Sequence, residues 1–392
     1  MQNGHSLLFI VWQSGVRMDE LMSKPLKILY TIPNFDTAGS GKALLNIAKR
    51  LDKNKFEPEI CCSHDRGIFF KTVSSSGIPI HINQTTHQMI PRIKGIIKSI
   101  ELAKYFKSLG LDLIHSFHYG PDYSEPLAAF FSGIPWVYTK KNMNWGGTSK
   151  NGWNLRTFLS SHIIAQNKDM ISNFFEKNDN VSLVYRGVNL DEYLPETRNL
   201  KLAKKYNIER DDRVILSVAN LVPVKGIEIL LDAFIRLSKY DNSLKLFIVG
   251  AKDNNYGKRL ESIAKKSKIS EKIHFTGKVE NVVDYYSISD IFVLPTLNEG
   301  RKEGCPVSLL EALSFNIKVI ASDVSGIRDI LSDYPENMFE AGNTNELVQK
   351  IKNQLQNNNK SQNEFIKLVK NNYRIELEVS QHEKIYNKVC HQ

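Results

Sequence analysis

Short apolar runs recur along the chain, each closed by a glycine, a proline or a polar cluster and followed by a stretch with helical spacing. In the first half the runs predict strands near Lys27–Ile32, Glu59–Ser63, Pro79–Ile82, Asp112–Phe117, Trp136–Thr139, Ile163–Gln166 and Val181–Tyr185, with helical patterns between several of them, as at Lys42–Leu51. A second series begins at Val214 and continues through Leu244–Gly250, Ile273–Gly277, Asp290–Pro295 and Lys318–Ser322, with helices over Ile229–Phe234 and Val307–Phe315. Repeated strand–turn–helix units predict an α/β protein with doubly wound sheets and a ligand crevice at the strand ends. The polar stretch around Asp191–Asn199, which holds Pro195, is the expected interdomain linker. The expected division is an N-terminal extension over residues 1–24, a first domain over 25–193 and a second over 194–375, with Met18 and Met22 as alternative starts.

At 392 residues the chain suits two domains rather than one core. Its hydrophobic fraction of 42% and charged fraction of 24% are those of a globular protein. No apolar run reaches the length of a spanning helix, and Leu7–Trp12 is too short for a signal peptide. Cys61, Cys62, Cys305 and Cys390 show neither metal spacing nor a disulfide framework, which points to a reducing cytoplasm. His115 and His118 lack the further ligands that a zinc site needs.

The net charge of +10 is unevenly spread, with +8 in residues 1–190 and +2 in the remainder. A basic first half suits an anionic acceptor or an anionic membrane surface. Within it, Ile93, Ile96, Ile97, Ile100 and Phe106 alternate with Arg92, Lys94, Lys98, Lys104 and Lys107. The pattern fits a bilayer-interface helix, and equally a sheet-packing helix with a solvated lysine face. Nucleic acid is not an expected partner, because the basic residues lack the aromatic interleaving of a recognition module.

Candidate chemistry concentrates in the second half. Glu303 and Glu311 stand eight positions apart on a loop running into a helix, where two carboxylates can accept hydroxyls of one polyhydroxylated ligand. The alternative is a dipole-capping glutamate and an exposed helical one. Lys225-Gly226 closes a turn after the strand at Val214, a position suited to a diphosphate. In the first half Gly39-Ser40-Gly41-Lys42 resembles a P-loop, but Asp36 occupies the position of the opening glycine and Ala43 that of the required hydroxyl. Gly39, Ser40 and Gly41 read instead as a small-residue loop whose N–H groups approach a phosphate, or as a simple turn. Gly250 and Gly257 make no dinucleotide fingerprint.

The order and spacing of Asn220–Gly226, Gly250, Thr276–Val279, Asp290–Pro295, Glu303-x7-Glu311-Ala-Leu and Lys318–Ser322 resemble those of the retaining GT-B glycosyltransferases of family 4, with weaker echoes at Asp36–Gly41 and Asp112–His115. The resemblance covers almost all of the second half. It implies two Rossmann-like domains facing each other across a cleft, with a final helix, near Glu376–Val389, crossing back to the first domain. It also implies a hexosyltransferase that uses a nucleotide sugar, UDP before GDP, and a lipid-linked or polysaccharide acceptor of the cell surface, with no metal and no bound cofactor. A sugar-nucleotide epimerase, or a nucleotide-binding pseudoenzyme acting as an assembly partner, are the alternatives.

On this resemblance Lys225 neutralises the donor diphosphate, Glu303 binds the sugar hydroxyls and Glu311 the ribose diol. Gly304, Cys305 and Val307 approach the donor through backbone, and Lys278 and Val279 lie against the base. His118 is the cleft histidine near the donor's C6 or the reacting centre, catalytic together with Glu303 and Lys225, with His115 as the competing alignment. Retention then needs no nucleophilic carboxylate, since the leaving phosphate acts as base. Two departures stand out. Asn220 occupies the place of a family arginine and brings no charge, which makes Arg301 or Lys302 candidate substitutes. Pro306 removes one backbone donor. The segment Lys140–Lys150, with Trp145 and nearby Trp153, is either an acceptor-stacking loop or plain surface.

Overall fold

In a computed structural model of the protein the described residues are 24–391, apart from 37, 145–148, 194, 196, 301, and 357–362. Leu7–Trp12, Met18, Met22, Trp145 and Arg301 therefore lie outside them. Strands β1 (Leu26–Ile32), β2 (Phe56–Cys62), β3 (Ile80–Ile82), β4 (Leu113–Ser116), β5 (Trp136–Lys140), β6 (His162–Ala165) and β7 (Val181–Leu183) form one sheet in the order β3-β2-β1-β4-β5-β6-β7. A second sheet follows the order β10-β9-β8-β11-β12-β13, from β8 (Arg213–Val218), β9 (Leu244–Val249), β10 (Ile273–Gly277), β11 (Ile291–Leu294), β12 (Lys318–Ser322) and β13 (Met338–Phe339). All neighbouring strands run parallel.

Parallel strands are covered on both faces, so their sequences read as continuous apolar runs. In β1, Ile28, Tyr30 and Ile32 enter a core shared with helix Ala38–Arg50, while Leu29 enters the opposite core with Leu102, Ala103 and Phe106. In β8, Val214 and Leu216 face one core and Ile215 the other. Strand order reverses beside β1 and beside β8, the places where a doubly wound sheet opens a crevice. The loops after β4, β8 and β11 carry His118, the Lys225 turn and Glu303. Gly39–Gly41 are a correction: they stand in the first turn of helix Ala38–Arg50, not in the expected loop.

After the second sheet the chain returns. Helix Ile375–Cys390 buries Ile375, Val379, Ile385, Tyr386 and Val389 in the first domain's core. Val188 accepts from Ile375 N at 3.0 Å, and Glu378, buried, pairs with Arg186 at 3.1 Å and accepts from Gly187 N at 2.7 Å. Tyr386 Oη meets Tyr30 Oη at 3.0 Å and His115 Nδ1 at 2.7 Å.

The helix Arg92–Ser108 corrects one expectation. It does pack on the protein, but through Gly95, Ser99, Leu102, Ala103 and Phe106, whereas Ile93, Ile96, Ile97 and Ile100 are exposed along with the lysines. Small residues decide which face goes inward, because a Cβ on Gly95 would lie 2.8 Å from Met89 Cα.

Burial drives His118 and His382 down to about 4 and lowers His115 well below the usual imidazole value. Their folded pKa values lie below the unfolded one, so as pH falls the unfolded chain takes up protons first. Their contribution is therefore present above about pH 6.5 and is lost toward about pH 4. For each histidine held that low it is on the order of 3 kcal/mol. The thermal midpoint is expected to fall steadily between about pH 6.5 and pH 5. A midpoint flat across that window contradicts the assignment.

Candidate active site

The Lys225 turn is fixed by backbone. Pro223–Lys225 form a short helical turn, and Gly226 adopts a left-handed φ of 60°, where a Cβ would lie 2.1 Å from Pro295 O. Leu297 N donates to Val224 O at 2.8 Å. Glycine thus lets the β8 turn press against the end of β11, and Lys225 Nζ ion-pairs there with Glu303 Oε1. The Glu303 loop is held from the other domain as well. Glu303 forms an isolated antiparallel bridge with Asn142, and Asn167 Nδ2 donates to Gly304 O at 2.7 Å. A Cβ on Gly304 would lie 2.4 Å from Lys141 O, so this approach requires glycine. Lys140, whose ammonium is pushed down to about 7 by burial, supports the facing loop by donating to Asn142 O at 2.7 Å.

On the first domain's side, Lys141 Nζ donates to Ser40 Oγ at 3.2 Å and to Phe117 O at 2.5 Å. It therefore ties the Gly39–Gly41 segment to the loop bearing His118. Gly39 is exposed with open space around its Cβ position, whereas Gly41 is tight against Phe35 and Phe69. His118 Nε2 meets Thr85 Oγ1 at 2.9 Å and stands 3.7 Å from Glu125 Oε1. Glu125 is fully buried; its other oxygen accepts from Ser116 Oγ at 2.5 Å and Trp136 Nε1 at 3.3 Å. Arg156 lies beneath, over the rings of Trp136 and Tyr138, and donates to Asp122 O at 2.9 Å. His115 is fully buried between Tyr386 and Thr139, so it is a core residue that holds the crossing helix.

Glu311, on helix Val307–Ser314, is buried, accepts from Tyr286 Oη at 2.8 Å and also meets Tyr193. Burial raises its pKa, and the nearby Lys42 opposes the rise. Lys42 donates to Glu192 and to Tyr193 Oη, both at 3.0 Å. Helix Ala38–Arg50 and the interdomain segment thus cover the carboxylate.

Lys225, Glu303 and Gly304 form one cluster; Ser40, Gly41 and His118 meet it through Lys141, while Glu311 belongs to the Lys42–Tyr193 group. Asn220 and Lys278 are exposed, and Val279 packs against the second core. Val307 begins its helix half-buried. Cys305 points its side chain into the core beside Arg186, where burial pushes its thiol up to about 12. Lys302 Nζ donates to Asn298 Oδ1 at 2.9 Å on the surface. Trp153 is a correction: it is buried against Lys140 and Arg156, which removes it from any stacking role. Lys42, Lys141, Tyr193, Thr85 and Glu125 were missed by sequence reasoning. The Gly39–Lys42 string was a signal for Lys42 alone.

Residues 37–192 match the family described as Glycosyltransferase Family 4, and residues 199–372 match Glycosyl transferases group 1. The chain belongs to this family of GT-B glycosyltransferases. An uncharacterized glycosyltransferase of Methanocaldococcus jannaschii is 31% identical over 169 residues, 42% of this chain and 40% of that protein. The O-antigen biosynthesis glycosyltransferase WclY of Escherichia coli is 23% identical over 316 residues, 76% of this chain and 80% of that protein. A crystal structure of Anabaena Alr3699/HepE in complex with UDP and glucose aligns with a TM-score of 0.77 at 16% identity, covering 92% of this chain and 98% of that one. That likeness shows the two-domain Rossmann-like fold.

Proposed function

We propose that the protein transfers a hexose from a nucleotide sugar, a UDP-sugar first and a GDP-sugar next, to a lipid-linked or polysaccharide acceptor in cell-surface glycan synthesis, with retention and without a bound metal. The observation that carries the reading is the Lys225–Glu303 pair at the mouth of the second sheet, presented by the β8 and β11 loops at its topological switch point. The E. coli relative's role in O-antigen synthesis and the UDP and glucose in the Anabaena structure support the substrate class.

In the free protein each charge of the pair neutralises the other. A diphosphate entering the turn draws the ammonium to itself and releases Glu303 to accept sugar hydroxyls. Lys225 then offsets the negative charge that grows on the leaving phosphate. Asn220 adds no charge there, and Lys141 or Lys42, rather than Lys302, stands ready to supply a second cation from the first domain. His118 serves near the donor's C6 or the reacting centre. Glu311 takes the ribose diol once Tyr193 and Lys42 give way. The protein works in the cytoplasm at an anionic membrane surface, a reading supported by the basic first half of the chain. Among the described residues no helix is long and apolar enough to cross a membrane.

The test is incubation with UDP-glucose, UDP-galactose and UDP-N-acetylglucosamine in the presence of lipid-linked and polysaccharide acceptors, followed by NMR. A retaining transferase releases UDP and a product with the donor's α configuration. Interconverted UDP-sugars without UDP release identify an epimerase, and no turnover with intact UDP binding identifies a pseudoenzyme. Either result overturns the reading.

A further inference from the structure

Helix Arg92–Ser108 is apolar on two sides. One stripe, Gly95, Ser99, Leu102, Ala103 and Phe106, is buried. The other, Ile93, Ile96, Ile97 and Ile100, follows the i, i+3, i+4, i+7 spacing of a single helical face and is open to solvent, with Ile93 77% and Ile97 52% exposed. Ile90, just before the helix, is 84% exposed, and the adjoining helix Ser124–Ser132 adds Phe130 at 66%. Isolated exposed apolar residues are ordinary, but a contiguous stripe marks an interaction surface.

Charge identifies the occupant. Residues 92–108 carry Arg92, Lys94, Lys98, Lys104 and Lys107 against the single acid Glu101. We infer that this face, Ile90 and the Ile93–Ile100 stripe with Phe130 and its flanking cations, docks the protein peripherally on an anionic lipid bilayer. Isoleucines and phenylalanine enter the boundary between headgroups and acyl chains, while the lysine stems lie along it with their ammonium groups among the phosphates. A second copy fits less well, because a two-fold contact would set five cations against five.

The docking face is tied to the cleft. Residues 83–91 lead into the helix, and His87 Nε2 meets Gly95 O at 2.9 Å and Ser99 Oγ at 3.2 Å. His87 N donates to Ser124 Oγ at 2.9 Å, joining the second helix. Thr85, two residues earlier, holds His118 Nε2 at 2.9 Å. A protein seated on this face therefore presents the His118 side of its cleft close to the bilayer, where a lipid-linked acceptor lies. This last step rests on the transferase reading; the docking itself does not.

The experiment is co-sedimentation of the full chain with phosphatidylcholine vesicles and with phosphatidylcholine–phosphatidylglycerol vesicles, with UDP-dependent thermal stabilisation measured on the same preparations. The wild type is expected to partition onto the anionic vesicles only, less so as salt rises. Lys94→Ala and Lys98→Ala are each expected to weaken partitioning by about five-fold, and Ile93→Asp with Ile97→Asp by at least about ten-fold, with UDP stabilisation unchanged. Equal binding by the double variant, equal binding to neutral vesicles, or no partitioning overturns the inference. So does dimerisation through this face without vesicle binding. Lost docking with an intact UDP response leaves the donor site standing, whereas docking without a UDP response removes the transferase reading alone.

Discussion

Lys225→Ala is expected to lower UDP release from a UDP-hexose by roughly 10²–10³-fold, the loss typical when one fixed donor to a developing anion is removed. Two consequences of the pair make the loss large. The ammonium is carried on a turn that Gly226 lets press against Pro295, so once it has passed from Glu303 to the diphosphate it already stands where charge grows on the leaving phosphate. Without it, Glu303 also keeps its negative charge facing the incoming diphosphate. Stability should change far less than turnover, because Lys225 and Glu303 keep 19% and 16% of their side-chain surface open at the cleft and water can reach Glu303 once the lysine is gone. A variant that keeps wild-type turnover removes Lys225 from the chemistry.

Glu378→Ala is expected to have the opposite signature, destabilising by about 3–5 kcal/mol because it leaves Arg186 as a buried, uncompensated charge. The Gly187 N–H loses its acceptor at the same time. The affected joint is where the crossing helix meets the first domain, so the first domain's melting should fall by roughly ten degrees. Differential scanning calorimetry checks this directly. A shift below a degree or two means that the returning helix is held by its apolar face alone.

The strands were legible because a parallel sheet covered on both faces writes its own pattern: Ile28 to Tyr30 and Val214 to Leu216 are apolar whichever face they point to. The Lys225–Glu303 neighbourhood was legible from the order of motifs alone. What the sequence left open depends on which elements meet. His115 and His118 are equivalent choices until Tyr386, arriving from the far end of the chain, takes His115 into the core. Lys42 beside Glu311, and Lys141 between Ser40 and Phe117, depend on how two domains and their connecting segment pack, which no local spacing encodes. Which way the isoleucine stripe faces was left open for a related reason. Periodicity identifies an apolar face, but not whether Gly95 and Ser99, by letting the neighbouring backbone approach closely, turn the helix so that the other face goes inward.

On the proposed reading the cleft of the second sheet binds a nucleotide sugar through Lys225, Glu303 and Glu311, and thermal unfolding of wild type, Lys225→Ala and Glu311→Ala against UDP, GDP, ADP and dTDP decides it. At about a hundred times its dissociation constant a ligand stabilises by roughly 2.7 kcal/mol. UDP is expected to stabilise the wild type, GDP less, and both variants should lose the response. No nucleotide response in the wild type, or an undiminished response in both variants, contradicts the assignment of the site.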